Sequence, residues 1–421
     1  MTLPSSLPPP SPPPPAPYPP AAPAPPHPKP SELAPSTALL ISRLLPLYLD
    51  PSSFACVLGG LPQTSVLLNS PSPPSSSASP PPPPPKPDDP SFISFNHIFY
   101  TGSSRVGRIV AEAAGRMLCP VTLELGGKSP AVVLENAEVE VCARRIAWAK
   151  WANAGQICIA PDYILTLPHL LPSLLTALRA SLASFSSSPS LSPLNDPNYS
   201  RIISPAHFDR LNGLLEKTQG KIEIGGERDR EKGKIEVTVV SGVEGGDSLM
   251  SEELFGPLLP ILTLPSKEAM ADFINARDVP LALYVFSQKQ RDAEYFLNNT
   301  QSGTFLHNDC LVQFMLPNLP FGGQGGSGYG GYHGRRTFDT FTHERACAKV
   351  PTWMDKVMSA RYPPYTPGKL RFLLLATGSV IRRPAKFGIG WVLKLVGVLA
   401  AVIGLVKAYA GGAGGGKGKM A

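Results

Sequence analysis

The 421-residue chain has few cysteines, and they follow no pattern typical of a metal site or a disulfide framework. The six cysteines lie at positions 56, 119, 142, 158, 310 and 347, with no Cys-x-x-Cys pair and no Cys/His spacing that suits zinc. This distribution predicts a reducing compartment and no metal site.

The N-terminus also lacks the features of a secretory signal, which needs a basic start followed by an apolar stretch. The first ten residues read Met-Thr-Leu-Pro-Ser-Ser-Leu-Pro-Pro-Pro and contain neither. The sequence therefore predicts no secretory signal.

Acidic residues are missing from the C-terminal end of the chain. From Lys356 onward there are eleven Lys or Arg and no Asp or Glu, which leaves 27 basic and 31 acidic side chains in the preceding 355 residues. A nucleic-acid-binding protein usually carries its basic charge on the folded domain. Because only the tail is basic here, the pattern favours a membrane surface as partner and no nucleic acid.

Proline is abundant, at 51 residues, and 31 of these fall within residues 1–90. Residues 1–28 are almost wholly Pro, Ala and Ser, a composition that favours extended chain and predicts disorder. A second Pro/Ser tract at 70–91 resembles a loop insertion, long for a compact domain. The fold must therefore be built chiefly from the residues after position 91, with length enough for one large or two medium domains.

The remaining sequence alternates between helical and strand-like patterns. Between the proline tracts, the apolar spacing of Leu39–Leu45 predicts a helix, and Phe54–Leu58 predicts a short buried strand. Further on we expect helices at 137–153, 171–185 and 206–217, and strands at 259–263 and 282–286. This alternation favours an α/β fold.

A strand, a glycine turn and a helix succeed one another at 96–118. Asn96–Tyr100 reads as the strand, Thr101–Gly107 as the turn and Arg108–Leu118 as the helix. In this arrangement backbone N–H groups and a helix N-terminus can face an anionic ligand. An ordinary turn is the alternative.

A twenty-residue apolar stretch, Phe387–Val406, contains a single charge, Lys394. At ~1.5 Å rise per residue, such a helix crosses a hydrocarbon core of ~30 Å. A helix lying in the membrane interface and a soluble packing helix are the alternatives, because the uninterrupted apolar run covers only 395–406. We expect a C-terminal membrane anchor.

Three motifs contain residues suited to chemistry. Val121–Pro130 places Glu124 at the end of an apolar strand before Gly-Gly, where a raised pKa suits a general base. Asn153–Pro161 places Cys158 in a turn of small residues, although a lone buried cysteine is more often structural. Glu252–Pro257 is followed by Leu319-Pro-Phe-Gly-Gly323 and the glycine-rich stretch 325–334.

Together these motifs resemble the aldehyde dehydrogenase superfamily, in particular its class 3 branch, which includes the fatty aldehyde dehydrogenases. Glu-Leu-Gly-Gly-Lys-Ser-Pro with a later Gly-Gln-x-Cys, 34 residues separating Glu124 and Cys158, is highly specific. The resemblance runs from about Lys29 to Pro367, and its further pieces appear in the family's order: Pro28–Glu32, Phe99–Ser103, Asn308-Asp309 and Arg361–Pro367.

The resemblance implies a role for each matching position. Cys158 would be the nucleophile that forms a thiohemiacetal and then a thioester with an aldehyde, and Glu124 would activate the water that hydrolyses the thioester. NAD or NADP would be the cofactor. Lys29 and Glu32 would lie near the adenosine ribose, and Glu253 would bind the nicotinamide ribose.

Four further positions are implied in the cofactor site. Gly102, Ser103 and Gly107 would border the turn near the cofactor phosphates, and Phe255 would pack beside the nicotinamide ribose. The implied architecture is an incomplete Rossmann-type cofactor domain, an α/β catalytic domain and a C-terminal transmembrane helix. The domains would be disordered 1–28, a partial NAD-binding domain at 29–125 with its insertion at 70–91, a catalytic domain at 126–324, a Gly-rich segment and oligomerisation arm at 325–367, and the anchor at 387–406.

The chain departs from the family pattern before Lys29. Family members have a further segment there, whose Asn side chain helps to bind the oxyanion, and residues 1–28 contain no match to it. Losing one oxyanion donor typically lowers the rate ~10²–10³-fold. A smaller departure is Ile157, where relatives commonly have Thr.

Two hypotheses account for these patterns. One is an active, membrane-anchored NAD(P)-dependent dehydrogenase of long-chain aldehydes, a homodimer facing the cytosol from the endoplasmic reticulum or the mitochondrial outer membrane. The other is a catalytically impaired or truncated family member, anchored to a membrane, whose proline tracts bind partner modules. Retention of Cys158 and Glu124 favours the first, and the unmatched N-terminal part favours the second.

Overall fold

The computed structural model describes residues 27–68, 95–187 and 191–377. The chain contacts form two compact units, the first ending at Glu344 and the second beginning at Arg345. This division lies inside the predicted segment 325–367, and the predicted domain boundaries stay predictions.

Two sheets organise the first unit. Among the described residues the larger sheet has seven strands, in the spatial order β11, β10, β3, β4, β9, β8 and β5. Every neighbouring pair is parallel except β5 and β8. Their bounds, in that order, are Thr304–His307, Ala282–Phe286, Pro130–Val133, Tyr163–Thr166, Leu258–Thr263, Thr238–Ser241 and Lys221–Ile224.

The smaller sheet has three strands in the described chain, with β2 (Val121–Leu125) between β1 (Ile98–Gly102) and β12 (Gly328–Tyr329). β1 and β2 are parallel, whereas β12 runs antiparallel to β2. A two-stranded ladder joins β6 (Arg228–Asp229) to β7 (Lys234–Ile235). β2 therefore has a hydrogen-bonded neighbour on each side.

Helices α3 to α8 bury apolar residues in the cores around the sheets. The central strands β3 and β10 are buried along their whole length, as expected for parallel strands covered on both faces. A second, smaller core joins the helix Ser104–Arg116 to β2. The first-unit helices are α1 Pro35–Tyr48, α2 Leu61–Leu67, α3 Ser104–Arg116, α4 Val139–Trp151, α5 Leu171–Phe185, α6 Pro205–Lys217, α7 Lys267–Asn275, α8 Gln290–Asn299 and α9 Arg335–Thr340.

The second unit contains α10 (Met354–Val357), a short 3₁₀ turn and α11 (Pro367–Thr377). Asp355 accepts hydrogen bonds from Arg361 at 2.7 Å and from the Tyr362 hydroxyl at 2.5 Å. Lys369 Nζ donates to the Tyr362 carbonyl at 2.9 Å. These polar contacts join α10 and α11 to the turn between them.

Most of the predicted elements are confirmed. The α/β alternation is confirmed, and α4, α5, α6, β9 and β10 lie within a few residues of their predicted bounds. The predicted strand Phe54–Leu58 is wrong, since this segment is irregular and only partly buried. The predicted turn 101–107 is also too long: α3 already begins at Ser104, because the Ser103 side chain caps it by accepting from Val106 N–H.

In the part of the chain that the structure describes, no helix is long and apolar enough to cross a membrane. The predicted anchor 387–406 lies outside the described residues. So do nearly all of the proline-rich segments 1–28 and 70–91.

Candidate active site

The turn that carries Cys158 leaves the end of α4 through left-handed backbone. Asn153, Ala154 and Gly155 have φ angles of 49°, 51° and 69°. A Cβ at Gly155 would lie 2.4 Å from the Gly256 carbonyl oxygen. Glycine is therefore required where the turn meets the segment that carries Glu253 and Phe255.

Side-chain hydrogen bonds fix the same turn. The Gln156 amide nitrogen donates to the carbonyls of Asn153 and Arg201, both at 2.9 Å, and its oxygen accepts from Ile203 N–H at 2.9 Å. The buried Tyr284 hydroxyl donates to the Ile159 carbonyl at 2.5 Å. The backbone on both sides of Cys158 is thus held by buried groups.

Glu124 lies on β2, paired with Thr101 of β1 and Gly328 of β12. It is 3% exposed, and neither carboxylate oxygen has a hydrogen-bond partner among the described residues. Burial raises the pKa of Glu124 to about 7. A carboxylate with that pKa and free acceptor atoms suits a general base at neutral pH.

The Cys158 thiol lies within electrostatic range of two carboxylates. Burial raises its pKa to about 11, and the charges of Glu253 and Glu124 add to that effect. The backbone N–H groups of Cys158 and Ile159 oppose it. The structure therefore brings together the predicted nucleophile, the predicted base and Glu253, and the thiol needs a base nearby to ionise at neutral pH.

Glu253 lies against the Gly-Gly turn that comes directly after β2. A Cβ at Gly126 would lie 2.0 Å from a Glu253 carboxylate oxygen, so only glycine permits this approach. The Gly127 N–H hydrogen-bonds to the carboxylate, while burial and then the charge of Asp162 raise the pKa of Glu253 to about 7. Phe255 lies two residues further on, with a positive φ of 45°.

The other predicted cofactor residues lie at the carboxyl end of β1 and nearby. Gly102 ends β1, Ser103 caps α3, and Gly107 packs inside α3 where a Cβ would lie 2.6 Å from Leu125. Glu32 pairs with Lys29 at 3.1 Å.

Glu32 also comes within electrostatic range of Tyr100, whose hydroxyl hydrogen-bonds with Ser103. The segment around Glu32 and the glycine turn are therefore neighbours.

These groups fit a dinucleotide. The Glu253 carboxylate accepts from Gly127 and keeps acceptor atoms for ribose hydroxyls, and the N-terminus of α3 presents N–H groups beside Gly102 for a phosphate. Both sets lie at carboxyl ends of parallel strands, where open α/β sheets bind ligands. The described chain contains no cluster of three or more metal-ligating side chains.

Two further residues of the site escaped the sequence analysis. Asp162 accepts from Leu254 N–H at 2.9 Å and pairs with Lys128, both within the site. Tyr332 lies in electrostatic range of Glu124 and Cys158. Asp162 stands beside the Cys158 motif and Tyr332 within the glycine-rich stretch, but neither position has a local pattern that indicates its contacts.

Comparison with known proteins identifies the family. The family model for the aldehyde dehydrogenase family matches residues 93–347. The chain is 42% identical over 341 residues to aldehyde dehydrogenase family 3 member B1 of Bos taurus, covering 81% of this chain and 67% of that protein. The chain belongs to the aldehyde dehydrogenase family, and the class 3 resemblance is confirmed.

Solved structures agree with this assignment. The substrate-bound state of Staphylococcus aureus AldH is similar, with a TM-score of 0.70 and 37% identity over 82% of this chain and 69% of that one. An aldehyde dehydrogenase of Mycobacterium tuberculosis complexed with NAD⁺ has a TM-score of 0.62 and 26% identity, over 75% of this chain and 61% of that one.

By family and fold the protein is an NAD(P)-dependent aldehyde dehydrogenase, with NAD⁺ or NADP⁺ as the cofactor. The chain spans about two thirds of the length of the curated relatives that it matches.

Proposed function

We propose that this chain oxidises aldehydes to carboxylic acids with NAD(P)⁺, through a covalent intermediate on Cys158. One observation carries the proposal: Glu124 is buried with both carboxylate oxygens unpartnered in the described structure, within electrostatic range of the half-buried Cys158 thiol. A buried carboxylate without a partner is costly, so its position beside a thiol suggests a role in the chemistry.

The first half of the reaction forms a carbon–sulfur bond. Cys158 Sγ, once a buried carboxylate has accepted its proton, adds to the aldehyde carbonyl carbon and gives a thiohemiacetal. The chemistry supplied by bound NAD(P)⁺ is acceptance of the hydride from that carbon. A thioester on Cys158 remains.

The second half hydrolyses the thioester. Glu124 accepts a proton from water as the water oxygen attacks the acyl carbon, and the carbon–sulfur bond then breaks to release the carboxylic acid and the thiol. Aldehyde, NAD(P)⁺ and water thus become acid, NAD(P)H and a proton. Glu253 and the N-terminus of α3 would hold the cofactor, together with Lys29 and Glu32.

We propose an apolar, long-chain aldehyde as substrate. Phe314 packs against Phe321, whose ring lies 5.6 Å from that of Tyr332, the residue near Glu124 and Cys158. Beside Phe314 the surface is apolar and exposed through Met315, Leu316 and Leu319. An exposed apolar patch next to a reactive centre suits an alkyl chain.

The membrane anchor at 387–406, a cytosol-facing location and a homodimer remain proposals of the same kind. The anchor and the location are supported by the acid-free basic tail and its apolar run, and the homodimer by the family resemblance alone. An anchored enzyme would act on aldehydes dissolved in the bilayer. The anchor would keep the site near its substrate.

The test is NAD(P)H formation by the detergent-solubilised full chain with a long-chain aldehyde. Cys158→Ala should abolish turnover, whereas Cys347→Ala, which changes an exposed cysteine of the second unit, should leave turnover unchanged. Circular dichroism shows whether each variant is folded. A folded wild-type chain without thiol-dependent turnover would contradict the proposal and favour the impaired family member.

A further inference from the structure

We propose that Asp162 is a positioning residue for this reaction, holding the Glu253 carboxylate over Gly126 and beside Cys158. The effect of Asp162 on the reaction rests on the proposed function, whereas the contacts of Asp162 do not depend on it. Asp162 lies just before β4, its own N–H donates to the Ser129 carbonyl at 2.7 Å, and its side chain is 4% exposed.

Each carboxylate oxygen of Asp162 has a separate partner. Oδ1 accepts from Leu254 N–H at 2.9 Å, the peptide directly after Glu253. Oδ2 accepts from Lys128 Nζ, and that ammonium also donates to the carbonyls of Leu249 and Glu252, both at 2.9 Å. Asp162 and Lys128 together fix the backbone on both sides of Glu253.

Arg210 holds the same backbone from α6. Its guanidinium donates to the Glu253 carbonyl at 3.2 Å and to the Leu254 carbonyl at 2.6 Å. It also pairs with the Glu252 side chain at 3.0 Å. The main chain that carries Glu253 is therefore fixed, and the side-chain direction is left to the surrounding charges.

Those charges balance only with Asp162 present. Lys128 and the fully buried Lys150 are in electrostatic range of both Asp162 and Glu253. Asp162 pairs with the Lys128 ammonium, and Glu253 instead accepts a hydrogen bond from Gly127 N–H. Without the Asp162 charge, the unpaired ammonium would attract the Glu253 carboxylate away from Gly126 and Cys158, because a buried charge requires a partner.

The experiment replaces Asp162 by Asn, which keeps an acceptor for Leu254 N–H and removes the charge. Two readouts do not depend on turnover: the pH midpoint of Cys158 alkylation by iodoacetamide, and the Kd of NAD⁺ by calorimetry. The charged or titratable groups in electrostatic range of the Cys158 thiol are Glu124, Glu253, Tyr284 and Tyr332. Loss of Glu253 from this set should lower the alkylation midpoint, and the Kd of NAD⁺ should rise about tenfold.

Two further variants isolate the effect. Asp162→Asn combined with Lys128→Met removes the unpaired ammonium, while Arg210 still holds the Glu253 and Leu254 carbonyls, so both readouts should return towards wild type. The double variant also provides the test if Asp162→Asn alone does not fold. Asp209→Asn breaks an exposed pair with Arg230, at 2.7 and 2.8 Å, and should change neither readout.

Unchanged midpoint and Kd in Asp162→Asn, with only a lower Tm, would overturn the proposal and leave Asp162 a structural residue. Lack of rescue by the double variant would also overturn it. If wild type shows no turnover while Asp162→Asn moves both readouts, the proposed function fails and the positioning role stands. If wild type turns over and Asp162→Asn matches it in both readouts, the proposed function stands and the positioning role fails.

Discussion

At the scale of single residues, the site is defined by buried carboxylates that have no cation bonded to them. Glu124 has no partner among the described residues, and Glu253 accepts only from a backbone N–H. Both pKa values are raised to about 7 by burial, and both charges raise the pKa of Cys158. The same burial that makes Glu124 a base at neutral pH therefore keeps the thiol protonated until a base acts on it.

Glu124→Gln should stop thioester hydrolysis while leaving thioester formation. A general base contributes about 10²–10⁴-fold, so steady-state turnover should fall by that factor and an initial burst of NAD(P)H should remain. In wild type, hydrolysis should slow as the pH falls below about 7, since the carboxylate then takes up a proton. Stopped-flow absorbance resolves the burst. Equal loss of burst and turnover would contradict this role.

The same substitution should stabilise the fold at alkaline pH. Folding raises the pKa of Glu124 from 4.5 to about 7. The protonated side chain therefore contributes to stability below pH 4.5, and this contribution is lost as the pH rises to about 7. The loss amounts to about 3 kcal/mol, at ~1.4 kcal/mol per pKa unit. The Glu124→Gln variant should avoid this loss of stability.

Urea unfolding measures the difference between Glu124→Gln and wild type. The variant should be more stable at about pH 8, with a smaller advantage at about pH 5. A difference that is independent of pH would mean that folding does not raise the pKa of Glu124.

At the scale of elements, the turn after α4 leads from a buried helix end to Cys158, the proposed nucleophile. Its left-handed residues reverse the chain, and the contact between Gly155 and the Gly256 carbonyl brings the Cys158 turn against the Glu253 segment. The segments that carry Cys158 and Glu253 thus meet through backbone, without a side chain between them.

Gly155→Ala should lower stability by about 2–3 kcal/mol and reduce turnover as well, since it adds both a clash and strain at positive φ. The matched control is Gly213→Ala in α6, where a Cβ meets nothing within 4 Å. That change should stabilise the protein by about 0.5–1 kcal/mol and leave activity unchanged. Chemical denaturation with parallel assays gives both values. Equal effects of the two substitutions would exclude a special role for Gly155.

The elements and the reactive side chains were largely predictable from the sequence, and their connections were not. The apolar residues of α5 have helical spacing, β10 is a continuous apolar run, and Glu124 and Cys158 belong to specific motifs. The strand expected at Phe54–Leu58 fails because strand formation depends on a neighbouring strand, and this segment has none in the described structure. Asp162 was missed because its partners lie 34 and 92 residues away in the chain.

At the scale of the whole molecule, charge and apolar surface are unevenly distributed. The described first unit contains the site, while the acid-free end of the sequence contains the apolar run 387–406. A spanning anchor, an interfacial helix and a soluble helix predict different behaviour of the full chain with membranes.

We expect the full chain to sediment with membranes and to resist carbonate extraction, as a spanning anchor does. Val398→Lys with Val402→Lys should release it into the supernatant, because each places a charge inside the apolar run. Ala413→Lys, beyond the run, should have no effect. Extraction of the wild type by carbonate would indicate an interfacial helix, and failure to sediment would exclude any anchor.

The pairing of β2 also bears on the order in which the protein folds during synthesis. The strand carrying Glu124 gains its second neighbour only when Gly328 pairs with it, about two hundred residues later in the chain. Until then β2 is an edge strand, with one side open to other chains on the ribosome. Glu124, the proposed catalytic base, is therefore synthesised early and enclosed late, so a stalled or cleaved nascent chain ending before residue 328 exposes its strand as an aggregation surface.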